Sequence, residues 1–130
     1  MLFFVFGLPG GFAEWCDAVT TELARHALGP TGLIRADRLE QLTLGVIATG
    51  ATQAVVSSRQ PGGRLRRALI DGGRNFIVAL DDPRTVLAEL VRGRGMPLAA
   101  ATQAVSSSCA ALLDHGATPG ALVVHREAPP

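Results

Sequence analysis

The sequence predicts an α/β sandwich in which a parallel five-stranded sheet lies between layers of helix. Short apolar runs recur along the chain, amphipathic segments of helix length separate them, and Gly- or Pro-rich breaks mark the junctions. Strands that read as unbroken apolar runs are buried on both faces, and their alternation with helices makes them parallel, with right-handed crossovers. At 130 residues the chain is long enough for one sizeable core. The expectation is a single domain over 1–126, with 127–130 as a tail or a linker to a further region.

The first strand is Leu2-Phe3-Phe4-Val5-Phe6, ended by the Gly/Pro turn Gly7-Leu8-Pro9-Gly10-Gly11. Phe12, Trp15, Cys16, Val19, Leu23 and Ala27 follow at three- and four-residue spacing and predict a helix over 13–28, stopped by Gly29-Pro30. A short strand is expected at 32–34, then a helix over 36–44 with Leu39, Leu42 and Thr43 inward. The Gly/Ala/Thr-rich stretch 47–52 fits neither pattern. Ala54-Val55-Val56-Ser57 reads as a strand, 59–63 as a loop, and 64–70 as a short helix closed by Gly72-Gly73. The run 75–80 is the next strand. Asp82 then caps, and Pro83 opens, a helix to about Val91. Gly93-Arg94-Gly95 breaks the chain, and Pro97 opens a long helix that carries Leu98, Ala101, Val105, Cys109 and Leu112 on one face and ends at Gly116. Residues 121–125 form the last strand. Ala51-Thr52-Gln53-Ala54-Val55 recurs as Ala101-Thr102-Gln103-Ala104-Val105, one copy at a strand and one in a helix, so the echo is not a structural repeat.

Composition narrows the function classes. A net charge of +1, with 48% hydrophobic and 18% charged residues, describes a folded chain with no electrostatic case for nucleic acid or an anionic membrane. All 12 positive charges are Arg, which reads as coding bias. The opening apolar run has no basic residues before it and ends at Gly-Leu-Pro-Gly-Gly, unlike a leader peptide, and no stretch approaches the roughly 18 apolar residues of a membrane span. Cys16 and Cys109 stand apart without a CxxC pattern and read as core thiols of a reducing compartment, so no metal is expected and the cytoplasm is the expected location.

A strand, a tight Gly-rich turn and a helix N-terminus together form the arrangement that collects phosphate on backbone N–H groups. Here the accompanying chemistry is missing, because residues 1–24 contain no Lys or Arg. Elsewhere, Asp81 and Asp82 at a strand end suit either a Mg²⁺ or general-acid pair, or the plainer reading of a cap and a solvated carboxylate. His26, His115 and His125 fall at element ends and read as surface or capping residues. Ser57-Ser58 and Ser106-Ser107-Ser108 lack the turn of a hydrolase nucleophile. Arg64, Arg66 and Arg67 read as the solvated face of a short helix.

Three segments in order, FVFGLPGGFAEW at 4–15, FIVALDDPRTVL at 76–87 and LVVHRE at 122–127, resemble the sulfotransferase family, a branch of the phosphate-loop fold. The resemblance implies a parallel sheet with a central first strand and the donor 3′-phosphoadenosine 5′-phosphosulfate. The departures fall on the ligand positions. Gly10 stands where the family has its phosphate-binding Lys or Arg, Gly11 replaces a Ser, Phe12 a Gly, and Ala13 and Glu14 two Thr; Pro9 and Trp15 agree. In the second segment Asp81 replaces the Arg that grips the 3′-phosphate and Glu89 a later Ser, while Pro83 and Arg84 fit. Arg59-Gln60-Pro61 lies where the family carries a Lys-x-His-like segment with the catalytic base. A carboxylate about 5 Å from a phosphate costs roughly 3 kcal/mol per charge pair at an effective dielectric of ~20.

The reading is therefore a non-catalytic sulfotransferase-like domain, with no cofactor, serving as a protein-interaction or self-association module, a homodimer included, of a larger protein. Phe12 is expected to fill the emptied turn with apolar bulk. The alternative is a divergent sulfotransferase or nucleotide-dependent transferase that binds its donor through Gly10, Gly11, Phe12, Ala13, Arg59 and Arg84, with Arg126 as a further cation. A third class is a nucleotide or metal regulator built on Asp81 and Asp82.

Overall fold

The computed structural model describes residues 2–71, 76–116 and 122–126. Strand β1 (Leu2–Gly7) leads through a turn into helix α1 (Gly11–Leu28), followed by β2 (Thr31–Arg35), α2 (Leu39–Thr49), β3 (Gln53–Ser58), α3 (Gly63–Asp71) and β4 (Phe76–Leu80). Then α4 (Pro83–Ala88) runs into a π-helical turn (Glu89–Gly93), and α5 (Leu98–Gly116) and β5 (Leu122–His125) complete the fold. All strand pairs are parallel, in the order β2-β3-β1-β4-β5, so the first strand is central. Gly72-Gly73, Asn75 and Ala121, expected at element ends, lie outside the described residues, as does the 127–130 tail. No helix is long and apolar enough to cross a membrane among the described residues.

The helices divide unevenly between the two faces of the sheet. Phe4, Phe6, Ile34, Val56 and Val78 point to one face, where Leu42 of α2, Leu65 of α3, Val86 of α4, Leu90 of the π turn and Ala101, Val105 and Leu112 of α5 bury them. Val5, Val55 and Ala79 point to the other, where α1 contributes Cys16 to a smaller core. Among the described residues, one helix thus forms one layer and four form the other.

Four expectations change, the simplest at the start of α5, where Leu98 is exposed while Ala101, Val105 and Leu112 are buried. Helix α1 turns its small residues to the sheet: Ala13, Cys16 and Ala24 are buried, whereas Trp15, Leu23 and Ala27 are exposed. Close packing explains the choice, since a Cβ on Gly7 would lie 2.6 Å from the Ala13 Cβ. Helix α2 covers 39–49 rather than 36–44 and absorbs part of the unassigned stretch. Ala36 N–H extends the ladder by donating to Ser57 O, and the Gln41 side chain accepts from Asp37 and Arg38 N–H, which delays the helix start. Thr43 is consequently exposed, with its hydroxyl on Leu39 O. The helix opened by Asp82 and Pro83 forms, with Asp82 Oδ1 accepting Arg84 N–H at 2.9 Å, but turns π-helical at Glu89.

Candidate functional site

The turn between β1 and α1 holds a carboxylate from the chain itself. Gly11 N–H donates to Glu89 Oε1 at 2.8 Å, across 78 residues of sequence. Gly10, at φ 128°, occupies a conformation that L side chains rarely adopt, and a Cβ there would lie 3.3 Å from Glu89 Oε2. Glu89 is the first residue of the π-helical turn, a local distortion that often re-aims side chains at functional sites.

Arg94, just past that turn, neutralises the acids. It grips Glu14 with two hydrogen bonds of 3.0 and 2.8 Å and stands 3.6 Å from Glu89 Oε1. The Arg94 hydrogen bonds outweigh burial and hold Glu14 below the usual carboxylate range, with added attraction from Arg94, Arg35 and Arg59. Phe12 does not fill the turn. It stacks on Trp15, ring centroids 6.1 Å apart and 12° from parallel, and packs against the α1-side core. Glu89 takes the place expected for Phe12, because a helix N-terminus favours an anion over an aromatic ring.

Beside the turn, the end of β3 carries a second charged cluster. Asp17, with only 3% of its side chain exposed, accepts from Arg59 Nη2 at 2.8 Å and from the Ser57 hydroxyl at 2.8 Å; Arg59 Nη1 also donates to Ser57 Oγ at 2.9 Å. Asp17 Oδ1 is buried without a hydrogen-bond partner among the described residues. Asp37 Oδ1 accepts the Ser58 hydroxyl at 2.6 Å and the N–H groups of Arg59 and Gln60, both at 3.0 Å. Burial alone would push the Asp37 carboxyl up, but the Ser58 hydroxyl, the two N–H groups and the Arg59 charge hold it below the usual range.

The arginines proposed for an anion each meet their own carboxylate. Arg59 is bound to Asp17, Arg84 lies 2.9 Å from Asp82 Oδ2, and Arg126 lies 3.3 Å from Asp81 Oδ2. Asp82 is the cap expected of it, and Asp81 accepts Asp82 N–H at 2.8 Å. Gly10, Gly11, Phe12 and Ala13 adjoin one another at the turn, but neither Arg59 nor Arg84 is directed to it by these bonds. Cys16 is buried, which pushes its thiol up, while Cys109 is half-buried. His26 and His125 are exposed, and Arg64 pairs with Glu40 at 2.7 Å. No group of three or more His, Cys, Asp or Glu is placed to hold a metal ion among the described residues.

Sequence reasoning missed Arg94, Asp17 and Asp37, and met Glu89 only as a departure from a motif. A signal existed for Asp17, which shares the three- and four-residue spacing of Ala13, Thr21 and Ala24 on the sheet-facing side of α1. None existed for Glu89, whose aim depends on the π turn. No family model and no curated protein matches the chain.

Proposed function

We propose that this chain is a non-catalytic, sulfotransferase-like α/β module that serves protein interaction or self-association rather than sulfuryl transfer. The observation that carries the reading is the Glu89 carboxylate on Gly11 N–H. An incoming phosphate would have to displace a charge-assisted hydrogen bond worth about 1.5–3 kcal/mol while meeting Glu14 nearby. The central position of β1 agrees with what the resemblance implies, and the pairing of Arg59, Arg84 and Arg126 with carboxylates leaves an anion little to recruit.

An association role draws on the sheet face that α1 covers alone. Leu122 shares that face with Ile77 by register and is 60% exposed; Trp15 and Leu23 on α1 are 58% and 65% exposed. Large apolar side chains left to solvent on this side of the sheet are the candidates for a contact surface. Calorimetric titration with 3′-phosphoadenosine 5′-phosphosulfate tests the first half: absence of heat is expected, and micromolar binding rejects it. Micromolar binding that disappears in Arg84→Ala would assign the divergent-transferase alternative instead. Sedimentation of the wild type against Trp15→Glu tests self-association, which a monomer at all concentrations excludes.

A further inference from the structure

A cavity of about 650 Å³ opens between the C-terminal half of α5 and the C-terminal ends of β4 and β5, with Leu8 of the turn after β1 in its wall. The C-terminal ends of parallel strands are where α/β proteins take ligands, and this volume suits a small organic molecule. Its walls are apolar: Leu8, Leu80, Pro83, Cys109, Leu112 and Leu113. Its polar groups are Asp81, Asp82, His125 and Arg126.

Their burial is unequal, and this sets the sign of the ligand. The Asp81 side chain is 6% exposed, whereas its partner Arg126 is 45% exposed and reaches it by a single 3.3 Å contact. Asp82 is already neutralised by Arg84. A guest cation can replace the Arg126 guanidinium at Asp81, because Arg126 can then turn into water at little cost. A guest anion drawn to Arg126 would strip a buried carboxylate of its cation, which is costly. We propose that this cavity binds an amphipathic amine, its ammonium on Asp81 and its apolar body against the leucines.

The test compares 4-phenylbutylamine, 4-phenylbutanol and 4-phenylbutyrate, which share one apolar body and differ only in the head group. Binding is read by calorimetry and by protection of Cys109 from alkylation, with buried Cys16 as the internal control. The amine is expected to bind about tenfold or more tighter than the alcohol, and the carboxylate more weakly still. Arg126→Ala should tighten the amine by removing its competitor, and Asp81→Asn should abolish the preference for it. Equal or tighter binding of the carboxylate, or no saturable binding of any of the three, overturns the proposal. So does an amine affinity unchanged in Asp81→Asn; where that variant does not fold, weaker amine binding by Arg126→Ala overturns it.

Discussion

Replacing Glu89 by glutamine keeps an oxygen for Gly11 N–H and removes only the charge. The consequence for anions follows from distance. An anion seated on the turn amides would lie about 4 Å from the Glu89 carboxylate, where like charges repel by about 4 kcal/mol at an effective dielectric of ~20. The Glu89 side chain is 30% exposed, so solvent screens this, and about half is a reasonable share. A gain of about 2 kcal/mol is roughly 30-fold in affinity. The assay is titration with inorganic pyrophosphate, followed at the amide resonances of Gly10, Gly11 and Phe12. Wild type should show no saturable shift at millimolar ligand, and Glu89→Gln should gain one. Glu89→Ala removes the acceptor as well, so it should lose about 2 kcal/mol of stability, or about 7 °C in Tm. A Glu89→Gln protein that binds pyrophosphate no better than wild type refutes the claim that this carboxylate occupies an anion site.

Three further outcomes follow from the same geometry. Arg59→Met strands the buried Asp17 carboxylate and should cost about 3 kcal/mol or more in urea unfolding, whereas a loss below about 1 kcal/mol would mean that Asp17 is reached by water. Glu14 and Asp37 are both held below their unfolded values, so their stabilisation is complete above about pH 5 and drains away as the pH falls through the lower folded values. Urea midpoints measured from pH 6 downward should therefore fall in the acid range, and Asp37→Asn should flatten that fall. Gly7→Ala forces a methyl against the Ala13 Cβ at 2.6 Å and should cost about 1–3 kcal/mol, recovered in part by Ala13→Gly.

The succession of strands along the chain was legible because β1, β3 and β4 are apolar runs of strand length closed by turn residues, too short for a buried helix. Helix α1 was legible in extent but not in rotation. Periodicity weighs the size of side chains, and the bulky set Trp15 and Leu23 outweighs Ala13, Cys16 and Ala24 in any such count. Proximity requires the reverse, since a helix lying against Gly7 and Ala79 can place only small groups between itself and the sheet. The start of α2 was misplaced for a different reason. Nothing local in Ala36-Asp37-Arg38 forbids a helix; the extended path there is held by Ser57 O, and Asp37 is fixed by Ser58 and the N–H groups of Arg59 and Gln60, all some 20 residues away.

The turn after β1 joins two facts that looked separate in the sequence, the missing Lys or Arg before residue 25 and the Glu at 89. Backbone N–H groups at a helix N-terminus have no intrahelical partner and carry a positive potential, so the turn must find an acceptor from some source. In a site that recruits its anion from solution, a basic side chain adds attraction that the amides alone do not supply. Here the acceptor is covalently part of the chain and its effective concentration is set by the fold, so a basic residue in the turn would bind Glu89 rather than a ligand. Arg94 meets the remaining need from outside the turn, by offsetting Glu14 and Glu89 together. On this view Arg94→Ala should loosen the turn only while both acids are present. Combined with Glu89→Gln it should cost less than the two changes measured apart, and a strictly additive double-mutant cycle would break the link.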